Sequence, residues 1–185
     1  MPAPRVRRAV ETLANSRGRS TPHVLTGLVF AAGAVLASAL VARMNAPTPD
    51  NPEVKAIYDR LDQPRFTPPP QVFALVWPPL FVALALSAVR VWNAPRSAAR
   101  TQALGLWGAA QALNALWMAL GPGRLAAQLA AAVASLAASA GYLLRARSVD
   151  APAAGMVAPY VGWVGFANVL TEELWRKNGQ RPTIH

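Results

Sequence analysis

Five apolar stretches, each near the length needed to cross a bilayer, fill most of this chain: His23 to Ala42, Gln71 to Val91, Thr101 to Leu120, Leu125 to Leu144 and Ala153 to Trp175. About 20 mostly apolar residues rising 1.5 Å each cover roughly 30 Å of hydrocarbon, whereas buried helices of soluble domains are usually shorter. No charge falls between Val24 and Val41, and Gln128 is the one strongly polar group from Leu125 to Leu144. A soluble Ala-rich bundle would not withhold charge this completely. The expected fold is therefore all-α: a polytopic membrane protein, a five-transmembrane-helix bundle with a long first loop containing a short helix.

Charge sits mainly in the tails, the loops and the ends of the spans. Only 14% of residues are charged against 54% hydrophobic, where soluble domains carry roughly 25% charged residues. The net charge of +10 invites a nucleic-acid partner, but the arginines flank membrane segments instead of forming a basic face interleaved with aromatics, so no nucleic acid is expected. There is no cysteine, and His23 and His185 lie at opposite ends of the chain, which argues against a zinc site or a bis-histidine haem site.

Residues 1–22 read as a basic, disordered tail that sets topology, 23–178 as the membrane domain and 179–185 as a C-terminal tail. Arg5, Arg7, Arg8, Arg17 and Arg19, the Arg90/Arg96/Arg100 turn and the Arg145/Arg147 turn would share one face, while acids balance much of the basic charge on the other. That bias favours an inside N-terminus in a multi-pass protein of a bacterial cell membrane. The tail and first span also resemble a secretion signal, with Ala37-Ser38-Ala39 as a cleavage-like site, but the apolar run is too long for an ordinary signal core. An uncleaved first helix is expected.

Within the first loop, Asn51 is positioned to cap a helix and Pro52 to begin it, with Val54, Ile57, Tyr58 and Leu61 on one face. This short helix would lie over the bundle mouth. In the third span, Trp107, Gln111, Asn114 and Trp117 share a face, and an amide facing lipid would leave donors unpaired, so the face should turn inward. The fifth span carries Tyr160, Val164, Asn168 and Thr171 on one stripe, with Trp163, Ala167 and Leu170 beside it. The second carries Phe73, Trp77 and Phe81 at spacings of four, and Pro78-Pro79 should bend it beside Trp77. Large aromatics with amides inside a bundle suit a pocket for a flat ligand, with bundle packing as the plainer alternative. Trp92 and Trp175, next to arginines at span ends, read as interface anchors. Ala127, Ala131, Ser135 and Ser139 form a small-residue stripe, as do Gly105 and Ala109 on the face of the third span opposite Trp107. The Gly105/Ala109 stripe would serve either a homodimer or contact within the chain.

Three blocks of residues resemble the TspO/MBR family, the tryptophan-rich sensory proteins that include the translocator protein, or peripheral benzodiazepine receptor. They are Tyr58-x-x-Leu61-x-x-Pro64-x-Phe66-x-Pro68-Pro69 running on to Phe73-x-x-Val76-Trp77-x-x-Leu80-Phe81; Leu104-Gly105-Leu106-Trp107 leading to Asn114-x-x-Trp117; and Pro159-Tyr160-x-x-Trp163-x-x-Phe166-Ala167-x-x-Leu170, closing with Trp175-Arg176-x-Asn178. The resemblance implies a five-helix bundle, often dimeric, whose pocket under the first loop takes porphyrins, benzodiazepine-type drugs and, in some members, sterols. Carried over by position, with the inward stripes, it implies ligand contacts at Tyr58, Phe73, Trp77, Phe81, Asn114, Trp117, Tyr160, Trp163, Ala167 and Leu170. Porphyrin or haem enters as a candidate ligand, not a required cofactor. The chain departs from the family at Ile57 and Phe66, where many members have tryptophan, and at Thr171-Glu172, where the tyrosine of a proposed sterol pattern is missing. The expected function is binding of a tetrapyrrole or similar hydrophobic molecule in its regulation, sensing or transport. The alternative is an enzyme for oxidative or light-assisted porphyrin breakdown, which the sequence supports with no metal site, no flavin or nicotinamide fingerprint and no paired acid and base.

Overall fold

The computed structural model describes residues 4–179. Its elements are α1 (Pro4–Leu13), α2 (Thr21–Met44), α3 (Pro52–Asp59), α4 (Pro70–Asn93), α5 (Ala98–Leu120), a 3-10 turn (Pro122–Arg124), α6 (Leu125–Val149) and α7 (Ala151–Asn178). Five of the helices, α2 and α4 to α7, are long and apolar enough to span a membrane. Their outer surfaces stay apolar and exposed, as with Val29, Leu36, Leu75, Val82, Val133 and Val169, which is the pattern of a bundle solvated by lipid.

The spans close into a ring in the order α2, α4, α7, α6, α5 and back to α2, with α4 and α5 also meeting each other. Small residues set the closeness of the α5–α6–α7 side. Ala131, Ser135 and Ser139 of α6 are buried there, and the Ser135 hydroxyl reaches the Ala110 carbonyl of α5 at 3.4 Å. Ala127, at the head of that stripe, is exposed. Gly105 and Ala109 also face outward, and a Cβ on Gly105 would meet nothing within 4 Å, so contact within the chain does not use them. Across the ring, Trp107 is fully buried and donates its Nε1–H to the Leu84 carbonyl of α4.

The N-terminal tail differs from expectation. Instead of being disordered it forms α1 and folds back onto the bundle end. Arg90 of α4 donates to the Thr12 and Leu13 carbonyls, 2.7 and 2.8 Å away, and so satisfies the open C-terminus of α1. The same guanidinium pairs with both oxygens of Asp150 at 2.9 and 3.0 Å. Asp150 also accepts from Ala153 N–H, capping α7, and from the Asn15 side-chain amide. One buried ion pair thus ties α1, α4 and α7 together, and its four-way use satisfies both charges.

Asn51 is also corrected. It precedes α3, but its amide donates backwards to the Arg43 and Ala46 carbonyls and does not cap the helix. The C-terminal tail, apart from Gly179, lies outside the described residues.

Candidate ligand site

The aromatic residues of α4 and α7 meet along one seam, on the loop-side half of the bundle. Trp77 stacks on Phe81 with ring centres 5.1 Å apart, and stands edge-on to Trp163 at 6.4 Å and to Tyr160 at 6.3 Å. Phe73 meets Trp163 edge-on at 5.7 Å. The spacings of four on α4 and of three on α7 place these rings on facing stripes, as helical periodicity requires. The seam includes a residue outside the expected set, Phe166, whose ring lies 5.4 Å from Trp163. Its position three residues after Trp163 was the signal that could have found it.

Polar atoms on this seam and on the α6-facing side of α7 are poorly served. Trp163 Nε1 is buried with no partner. Tyr160 Oη points toward the Ser135 and Ser139 hydroxyls without a hydrogen bond of normal geometry. Asn168 donates to the Ala132 and Val164 carbonyls, but its Oδ1 has no donor. Buried polar atoms are almost always satisfied in folded proteins, and in hydrocarbon each exception costs more because no water is at hand.

The remaining expected residues divide. Trp117 and Ala167 pack together with Ala131 and Ala132 where α5, α6 and α7 converge. Asn114 is buried and donates to the Ser38 hydroxyl of α2 at 2.8 Å, leaving its Oδ1 unpaired. Leu170 is partly buried on α7. Gln111, on the same stripe as Asn114, instead lines an apolar groove of about 340 Å³ between α2 and α5, beside Phe30, Ser38 and Trp107, with neither amide atom partnered. The aromatic seam is therefore packed ring on ring, while this groove is open. A flat ligand entering the seam must part Trp77 from Trp163.

Tyr58 sits on α3, which packs on the 3-10 turn between α5 and α6. Burial pushes its phenol pKa up, so the ring remains neutral at ordinary pH. Ile57 is exposed, so the helix is not seated on the bundle by its whole apolar face. What fastens the loop is a clasp to the end of α7: Asn178 accepts from Asp62 N–H at 2.9 Å and donates to the Asp62 carbonyl, while Lys177 donates to the Gln63 carbonyl.

Trp92 also differs from expectation. It is no free interface anchor: its ring packs over Gly27 of α2, where an added Cβ would come within 2.3 Å, and its Nε1–H bonds the His23 carbonyl. Trp175 remains 39% exposed next to Arg176, which pairs with Glu172 and Glu173 at 3.7 and 3.4 Å. Among the described residues, no group of acids and histidines could hold a metal ion.

The profile of the TspO/MBR family matches residues 26–176. Protein CrtK of Rhodobacter capsulatus is 32% identical over 131 residues, covering 69% of this chain and 82% of that protein. The tryptophan-rich sensory protein of Cereibacter sphaeroides is 33% identical over 127 residues, 68% of this chain and 78% of its own. The translocator protein of Ovis aries is 29% identical over 130 residues, covering 67% and 76%. The matched segment takes in all or most of each of the five apolar helices and both sides of the aromatic seam, and the chain is a multi-pass integral membrane protein belonging to the TspO/MBR family.

Proposed function

We propose that the chain binds a flat hydrophobic ligand of the tetrapyrrole type along the α4–α7 seam and acts in its sensing, regulation or transport. The observation that carries the reading is Trp163 Nε1, a donor buried among aromatic rings with nothing to receive it. A porphyrin offers π-faces for Trp77, Phe73 and Trp163, and peripheral oxygens for the orphaned donors. The relatives' names, sensory protein and translocator protein, fit a binding role for the family. Tyr58, Phe81, Asn114, Trp117, Tyr160, Ala167 and Leu170 complete the proposed contact set, which requires the loop-side half to open. A second copy would pack across the outward-facing Gly105 and Ala109.

Titrating the purified protein with protoporphyrin in the dark, then in light, tests this directly. Tryptophan quenching with an unchanged porphyrin spectrum is expected. Progressive bleaching with product formation would instead favour the degradative enzyme. Trp163→Ala should weaken binding by about 1 to 3 kcal/mol, the range for loss of an aromatic stacking partner. Leu75→Ala, on the lipid face at 76% exposure, should leave it unchanged. Equal losses from the two would refute the seam as the site.

A further inference from the structure

At the opposite end of the bundle, where α2 begins and α4 passes into α5, a polar hollow of about 290 Å³ is lined by Arg19, Ser20, His23, Arg96 and Arg100. Two of these guanidiniums are held in place by neutral acceptors. Arg19 donates its Nε–H to the Asn93 carbonyl at 2.7 Å, leaving both Nη groups unspent. Arg100 donates Nε–H to the Val91 and Trp92 carbonyls and Nη2 to Trp92, lies over the Trp92 ring at 5.4 Å, and keeps Nη1 free. Arg96 makes no hydrogen bond or ion pair within the described residues.

Among the described residues, no carboxylate answers these charges. The acids of this face are already spent, Asp150 on Arg90, Asn15 and the α7 cap, and Glu11 on Arg7. Like charges collected in one hollow repel, and an anion from outside relieves the repulsion. Two further features point the same way. His23 Nε2 is buried without a partner, and Ser20 stands at the start of α2 without using its hydroxyl to cap it, next to the partial positive charge of the helix end. Forked guanidinium donors around a concave polar space suit the oxygens of a phosphate group.

We propose that this hollow binds a phosphate-bearing anion at the membrane surface, either the phosphodiester of an anionic lipid headgroup or a soluble phosphate compound. The bound anion would join the segment preceding α2 to the α4–α5 turn and so brace the fold-back of α1. The site is separate from the α4–α7 seam, and its test does not depend on tetrapyrrole binding.

The experiment follows the unfolding temperature of the full chain in a neutral detergent. Phosphatidylglycerol and inorganic pyrophosphate are added in separate arms, with phosphatidylcholine and sodium chloride of matched ionic strength as controls. A stabilising shift is expected with at least one phosphate arm beyond its control. A response to the lipid alone assigns the headgroup, a response to pyrophosphate alone assigns a soluble ligand, and responses to both assign the phosphate group they share. Arg96→Gln removes a cation that holds nothing in the fold, and should weaken the response about tenfold, as loss of one charge-assisted contact does; Arg19→Gln with Arg96→Gln should weaken it further. No shift beyond the controls, or a shift of equal midpoint in both variants, overturns the proposal.

Discussion

The two ends of the bundle handle buried polar groups in opposite ways. Around α1, Arg90 and Asp150 exchange two hydrogen bonds and spend their remaining capacity on the α1 carbonyls, Asn15 and the α7 cap. One turn deeper, Ser87 joins Tyr142 at 2.7 Å and the Ala153 carbonyl at 2.8 Å. In the loop-side half, Gln111, Asn114, Trp163 and Asn168 each leave a buried atom unpaired. The first arrangement locks helices together; the second leaves donors and acceptors unspent, which the proposed ligand would use. The exceptions at the locked end are His23 Nε2 and Asn93 Oδ1, and His23 lines the arginine hollow. Most unpaired buried atoms thus lie in the loop-side half, and one of those at the other end lines the arginine hollow.

The strongest way to break the comparison is Asp150→Ala. It leaves Arg90 buried with its charge uncompensated, and should cost about 3 to 5 kcal/mol in unfolding experiments, the range for half of a buried ion pair. Glu172→Ala removes a carboxylate from a pair whose arginine side chain is 63% exposed, and should cost well under about 1 kcal/mol. Similar losses from the two would mean that the Arg90–Asp150 end is not a lock.

A middle-sized effect is expected at Gly27. The Cβ of Gly27→Ala would press on Trp92 at 2.3 Å, so α2 must move from α4 or the indole must give up its bond to His23, at about 1 to 3 kcal/mol for an overpacked contact. Thermal unfolding measures it. Porphyrin affinity in the protein that remains folded should not change, since Trp92 lies outside the seam; a loss of affinity there would show the halves to be coupled.

A smaller effect than at Gly27 is expected at the clasp. Asn178→Ala removes both bonds to Asp62 and should loosen the first loop by about 1 kcal/mol, speeding porphyrin dissociation about fivefold with little change in association. Stopped-flow rates decide it. An unchanged dissociation rate would mean that the loop does not gate the seam.

Helical periodicity made much of this architecture legible. Charge-free lengths of about 20 residues counted the spans, and the 3.6-residue repeat turned Trp107, Asn114, Trp117, Tyr160 and Asn168 inward, as the structure places them. Both signals are local, so they survive without knowledge of what faces what. They failed where a residue's role depends on a distant partner. Trp92 next to arginines at a span end reads as an interface anchor, until Gly27 of another helix is seen beneath it. Gln111 and Asn114 share a stripe, yet one opens onto the α2–α5 groove while the other meets Ser38, 76 positions away.

The sequence by itself determined that the chain crosses a membrane five times and which face of each helix seeks the interior, because lipid and helix geometry impose those choices residue by residue. The tertiary structure alone decided which helices adjoin and which charges meet. The basic tail became a helix because Arg90, paired with Asp150 60 positions on, had donors left for its carbonyls. Asn15 joined that pair across 135 positions. Closing such contacts pays its entropy once, through the ring of helices, and no pattern along the chain records the result.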